Sequence, residues 1–102
     1  MEQHLSQYKI FYEVARCGNI SRAAKELYIS QPAISKAISK LEESLGIKLF
    51  SRNSRGVQLT REGAILFQHV NTAFDSIGRG ERELKRIHDF HIGNLKIGVS
   101  NT

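Results

Sequence analysis

The segment SQPAISKAISKLEESLG, residues 30–46, admits few conformations. At about 100° per residue, Ile34, Ala37, Ile38, Leu41 and Leu45 fall on one arc of a helix, which makes that arc its core side. Ser30 is placed as N-cap, and Pro32 lies in the first turn, where its missing N–H removes only a donor that has no intrahelical partner anyway. Gly46 suits the left-handed position that closes a helix. The opposite side carries Gln31, Pro32, Ser35, Lys36, Ser39 and Lys40, and no acid precedes Glu42. An ordinary solvated face mixes both signs of charge from the start, so this small, polar, cationic face calls for a partner.

What precedes the segment is equally constrained. Tyr8, Phe11, Tyr12 and Ala15 recur at helical spacing and predict a first helix ending near Cys17 and Gly18. Asn19 then caps a short second helix, with Ala23, Ala24 and Leu27 inward and Ser21, Arg22 and Lys25 outward. Its two alanines let another helix come close. Tyr28 and Ile29 make the turn into the helix over about 31–45.

Beyond Gly46 the charge becomes one-sided. The chain of 102 residues has a formal net charge of +5, and residues 48–61 carry Lys48, Arg52, Arg55 and Arg61 with no acid, while the flanking parts are close to neutral. Short extended pieces around Lys48, Leu49, Phe50 and around Val57, Gln58, Leu59, joined through Arg52, Asn53, Ser54, Arg55 and Gly56, predict a hairpin wing over about 48–60. Such a patch suits a polyanion.

Thr60 caps a fourth helix, in which Phe67, Val70, Phe74 and Ile77 recur at the spacing of a helix–helix seam, with Leu84 one heptad further on. Gly78 and Gly80 each cost roughly 1 kcal/mol in a helix interior, and Glu81 falls in the seam, so a bend or frayed turn is expected there. Residues 94–100 alternate Leu95, Ile97 and Val99, the pattern of a strand. With 40% apolar residues the chain supports one compact domain of modest core. The single Cys17 excludes an internal disulfide and a multi-cysteine zinc site and suits a reducing compartment. With neither a signal segment nor an apolar run of membrane-spanning length, a soluble cytoplasmic protein is expected.

A short helix, a tight turn and a second helix with a cationic outer face form a helix-turn-helix, whose second helix fits a DNA major groove. The expected fold is mostly α: three helices and a short β-hairpin wing, followed by a long dimerisation helix. Gln31 has the donor and acceptor to pair with adenine, and Ser35 and Ser39 can serve base edges. Ser21, Arg22 and Lys25 suit phosphates, and Arg55 at the wing tip suits a narrow minor groove flanked by Arg52 and Lys48.

In order and spacing, Phe11, Val14, Ala15, Gly18, Ser21, Arg22, Ala23, Ala24, Leu27, Ser30, Gln31, Pro32, Ala33, Ser35, Leu41, Glu42, Leu45, Gly46, Leu49, Phe50, Arg52, Leu59, Thr60 and Gly63 resemble the N-terminal DNA-binding domain of LysR-type transcriptional regulators. The resemblance implies a DNA-binding domain over 1–60, a linker helix for dimerisation over 61–91, and the start of an effector-binding domain over 92–102. The expected DNA-binding set is Ser21, Arg22, Ser30, Gln31, Pro32, Ala33, Ser35, Lys36, Ser39, Lys40, Arg52 and Arg55, and seam spacing makes Phe67, Val70, Phe74, Ile77 and Leu84 the dimerisation set. Two-fold pairing makes an interrupted palindromic operator in double-stranded DNA the expectation, at the bacterial nucleoid. The expected unit is a homodimer, or a tetramer at full length, with RNA polymerase a further candidate partner. No cofactor is expected in this chain; a small-molecule inducer would bind the effector domain.

Two other classes compete. A winged helix also serves as a protein-docking module, which would make function insensitive to Lys36 and Arg55. An enzyme is not expected, since no Ser/His/Asp set, phosphate-binding glycine loop or paired carboxylates in a pocket can be found. His88 and His91 have a spacing that metals use, but neither a cysteine nor a third ligand accompanies them.

Overall fold

The computed structural model describes the backbone of residues 2–96 and the side chains of residues 5–89. The elements run α1 (Glu2–Cys17), α2 (Ile20–Leu27), α3 (Gln31–Leu45), β1 (Phe50–Asn53), β2 (Gly56–Leu59) and α4 (Arg61–Lys96). They form two compact units, Met1–Asn71 and one from Thr72 onward.

Local chemistry sets each boundary. Gly18 takes φ 68°, and its N–H donates to the Val14 carbonyl at 2.8 Å, which ends α1. Asn19 Oδ1 accepts from the Arg22 N–H at 3.0 Å, and Ser30 Oγ from the Ala33 N–H at 3.2 Å, so both expected N-caps form. Gly46, at φ 70°, donates its N–H to the Glu42 and Glu43 carbonyls and closes α3. Thr60 Oγ1 accepts from the Gly63 N–H at 2.9 Å and opens α4.

The core of the first unit draws on every element before α4. Phe11 and Val14 of α1, Ala23 and Ala24 of α2, Ile34, Ile38 and Leu41 of α3, and Leu49, Phe50 and Val57 of the wing are all buried. The Phe11 ring meets Phe50 at 5.4 Å and Phe67 edge-on at 6.5 Å, within the range in which aromatic pairs attract beyond their area burial. The Phe67 ring also stacks on Tyr12 at 5.8 Å. Phe67 and the buried Val70 thus carry the first unit into α4 as far as Asn71. Leu45, expected in the core arc, is exposed, because the last turn of α3 runs past the core.

The hairpin is antiparallel, with Phe50 opposite Leu59 and Asn53 opposite Gly56. Arg52, expected in the connecting turn, lies in β1, and Ser54 and Arg55 alone make the turn. Asn53 Oδ1 accepts from the Arg55 N–H at 2.8 Å and stabilises it.

Two expectations for α4 concern its glycines and its end. The helix continues through Gly78 and Gly80 with no frayed turn; a cost of roughly 1 kcal/mol at each glycine is small against the cooperativity of a helix that extends well to either side. Asn94, Leu95 and Lys96, expected to begin a strand, close α4. A helix satisfies its own backbone, whereas a strand there needs a partner. The rest of that expected strand, residues 97–100, lies outside the described residues.

Candidate nucleic-acid interface

The second helix of the pair, α3, presents the predicted face. Ser30, Gln31, Pro32, Ala33, Lys36, Ser39 and Lys40 are exposed, and Ser35 is half-buried. The Ser30 hydroxyl accepts the capping bond and retains its O–H and one lone pair for a ligand. Ser21, Arg22 and Lys25 are exposed on α2, as are Arg52 and Arg55 on the wing. Among the described residues, no ion pair involves Arg22, Lys25, Lys36, Lys40, Arg52 or Arg55, whereas Lys48 pairs with Glu42 at 3.8 Å. An incoming polyanion therefore meets these six cations without displacing a carboxylate from any of them. Lys48, expected to flank Arg55, is exposed at the base of the wing, where it makes that pair.

Backbone contacts hold the wing beside the helix pair. The Val57 N–H donates to the Gly18 carbonyl at 3.4 Å, and a Cβ on Gly56 would come within 2.6 Å of that oxygen. Gly56 also takes φ 133°, so the position suits glycine on two counts. This approach brings Arg55 into one open cleft with Asn19, Ser21, Arg22, Lys25 and Glu26. The wing-tip cation and the start of α2 thus form a single basic surface, shared with one carboxylate.

The wing base is fixed from two sides. Glu42 Oε2 accepts from the Leu49 and Phe50 N–H groups at 2.8 and 3.2 Å. The Thr60 hydroxyl donates to the Lys48 carbonyl at 2.7 Å, and the Thr60 N–H donates to the Leu49 carbonyl at 2.9 Å. Gly63 packs so close to Leu49 that any Cβ there would overlap the Leu49 carbonyl oxygen. Sequence reasoning missed this clamp. Its one signal is that Glu42 follows the buried Ile38 by four residues and so returns to the inward side of α3.

The predicted dimerisation residues do not form one set. Phe67 and Val70 are packed in the first unit, Phe74 is half-buried, and Ile77 and Leu84 are exposed at 49% and 69%. In the second unit, Ala73, Ile77, Gly80, Leu84 and Ile87 follow one another at alternating steps of four and three residues, all exposed. Among the described residues there is no cluster of three metal-ligating side chains and no helix long and apolar enough to cross a membrane. The side chain of His91, considered with His88, lies outside the described residues.

Helix pair, tight turn, cationic second helix and clamped hairpin define a winged helix-turn-helix. The chain belongs to the lysR family of bacterial regulatory helix-turn-helix proteins, whose family model matches residues 5–64. It is 35% identical to the RuBisCO operon transcriptional regulator of Allochromatium vinosum, over 100% of this chain and 34% of that protein. It is 37% identical to the HTH-type transcriptional regulator CbbR of Rhodospirillum rubrum, over 98% of this chain and 34% of that one. The chain thus spans about a third of the length of these curated relatives. Among solved structures, the BenM DBD in its complex with catB site 1 DNA superimposes with a TM-score of 0.74 at 34% identity, covering 82% of this chain and 94% of that one. Full-length CbnR complexed with target DNA matches with a TM-score of 0.67 at 35% identity, over 78% of this chain and 28% of that one.

Proposed function

We propose that this chain is the operator-binding part of a LysR-type transcriptional regulator, with α3 in the major groove of double-stranded DNA and the wing against the adjacent minor groove and backbone. The observation that carries this reading is the exposed face of α3, free of acids from Gln31 to Lys40, beside wing and α2 cations that have no carboxylate partner among the described residues. Gln31, Ser35 and Ser39 would read base edges, while Arg22, Lys25, Lys36, Lys40 and Arg52 would set register on phosphates. Known proteins of this fold bound to DNA support it.

The unit we propose is a homodimer paired through the exposed stripe of Ile77, Leu84 and Ile87, which an isolated helix leaves in water. Two-fold pairing suits an interrupted palindromic operator. An inducer would bind outside this chain, in the remaining two thirds of a protein the length of its relatives; a tetramer, contact with RNA polymerase and residence at the nucleoid belong to the same proposal. The test is titration of a labelled duplex, selected for binding from a random pool, across salt concentrations. If a dimer neutralises about six phosphates, log K falls against log[salt] with a slope near −5. A flat response would remove electrostatic DNA binding, and with it the reading.

A further inference from the structure

Within the helix-turn-helix, one large side chain has no use in the fold. Tyr28 is 93% exposed, the highest value among the large hydrophobic residues of the described chain. It caps α2 at φ 58°, ψ 41°, and is the sole described non-glycine residue with positive φ. Glycine or asparagine closes a helix in that conformation at least cost, so the chain holds an aromatic ring in water at a position whose backbone asks for a smaller residue. No hydrogen bond, ion pair or ring contact engages the Tyr28 side chain among the described residues. Its N–H donates to the Lys25 carbonyl, and the Ile29 N–H to the Ala24 carbonyl, so the backbone beneath the ring is fixed.

Its neighbours indicate what it meets. Residues 28–33 are exposed without interruption, and the last four of them are the cap and first turn of α3, the end that points into a groove in this class of fold. From Leu27 to Leu41 the chain has no acid. Tyr28 lies two residues before the cap Ser30, so with the start of α3 docked in the groove it borders the groove wall and not the groove floor. The groove wall is phosphate, and a phenolic O–H is one of the donors that phosphates take.

We infer that Tyr28 is a DNA-contact residue, its hydroxyl donating to a backbone phosphate beside the bases read by the start of α3. This rests on the DNA-binding reading. It adds a neutral, short-range anchor to a surface otherwise held by long flexible cations, and such an anchor fixes how deep the helix sits. The prediction separates ring from hydroxyl: Tyr28→Phe keeps the ring and removes the donor, while Tyr28→Asn removes both and suits the left-handed backbone.

The experiment measures both variants and the wild type against a duplex selected for binding, and repeats this on duplexes in which single phosphates are replaced by uncharged methylphosphonates. Tyr28→Phe should weaken binding on the order of tenfold, the effect of losing one hydrogen bond to a charged group, equally at all base sequences. Tyr28→Asn should weaken binding at least as much while thermal stability holds or rises. At one linkage per half-site, the methylphosphonate should lower wild-type affinity to that of Tyr28→Phe and leave the variant unchanged. Variants that bind as the wild type does would remove the contact and leave the DNA-binding reading intact. A loss confined to one base position would replace the phosphate assignment by base readout. A wild type that ignores duplex altogether would remove both readings.

Discussion

Replacing Glu42 by alanine should cost far more than its place near the end of a helix suggests. The carboxylate accepts from the Leu49 and Phe50 N–H groups, and both bonds are part-buried. Deleting the acceptor strands two donors at roughly 1–3 kcal/mol each, and because water reaches part of the site the combined loss is about 2–4 kcal/mol. The Lys48 partner adds little, since its side chain is 83% exposed and such pairs are worth at most about 1 kcal/mol. Glu42→Gln keeps an oxygen for both donors and loses only the charge assistance, at a cost of about 1 kcal/mol. In a domain of this size 1 kcal/mol moves Tm by about 4–8 °C, so alanine should lower it by about 10–20 °C and glutamine by about 5 °C. The chain has no tryptophan, and Tyr8, Tyr12 and Tyr28 all lie in the first unit, so near-ultraviolet tyrosine dichroism during urea unfolding reports on that unit alone. An alanine variant within 0.5 kcal/mol of wild type, or a glutamine variant as damaged as alanine, would refute the clamp.

Gly63→Ala should destabilise by about 3 kcal/mol in the same assay, since its Cβ must push the Leu49 carbonyl away. Gln31→Ala should lose about 1–3 kcal/mol of binding at one or two base positions and little elsewhere, measured on a panel of single-base operator variants. Arg55→Ala should lose most on operators with A·T-rich flanks, whereas Arg52→Ala should weaken all of them alike, as titration against both flank types will tell. Leu84→Asp should turn a sedimenting dimer into a monomer without lowering the Tm of the first unit, since this side chain is 69% exposed and lies beyond Asn71.

The caps were legible because they are chemistry between near neighbours. Asn19, Ser30, Gly46 and Thr60 each act within a few residues, so composition and position suffice to find them. The face of α3 was legible for the same reason, since helical periodicity alone sorts Ile34, Ile38 and Leu41 from Gln31, Lys36 and Ser39. What escaped depends on tertiary partners. Phe67 has the spacing of a seam residue, yet its stacking on Tyr12 depends on where α1 comes to lie. Glu42 looks like surface charge until the Leu49 and Phe50 amides arrive beneath it. Continuation of α4 through two glycines, and its extension over Asn94, Leu95 and Lys96, are cooperative outcomes that residue-by-residue propensity does not contain.

The wing is held at its base, by the buried side chains of Leu49, Phe50 and Val57 and by its main chain: Val57 N–H on the Gly18 carbonyl, Leu49 and Phe50 N–H on Glu42, Lys48 and Leu49 carbonyls on Thr60. Ser51, Arg52, Asn53, Ser54 and Arg55 are exposed, and only Asn53 spends its side chain on the turn. The hairpin therefore behaves as a mount with an interchangeable tip. Arg52, Ser54 and Arg55 can be rewritten without shifting the position in which the wing holds them. If the tip meets DNA as proposed, preference for the DNA flanking an operator would then change by substitution at the tip alone, with α3 and its core left as they are.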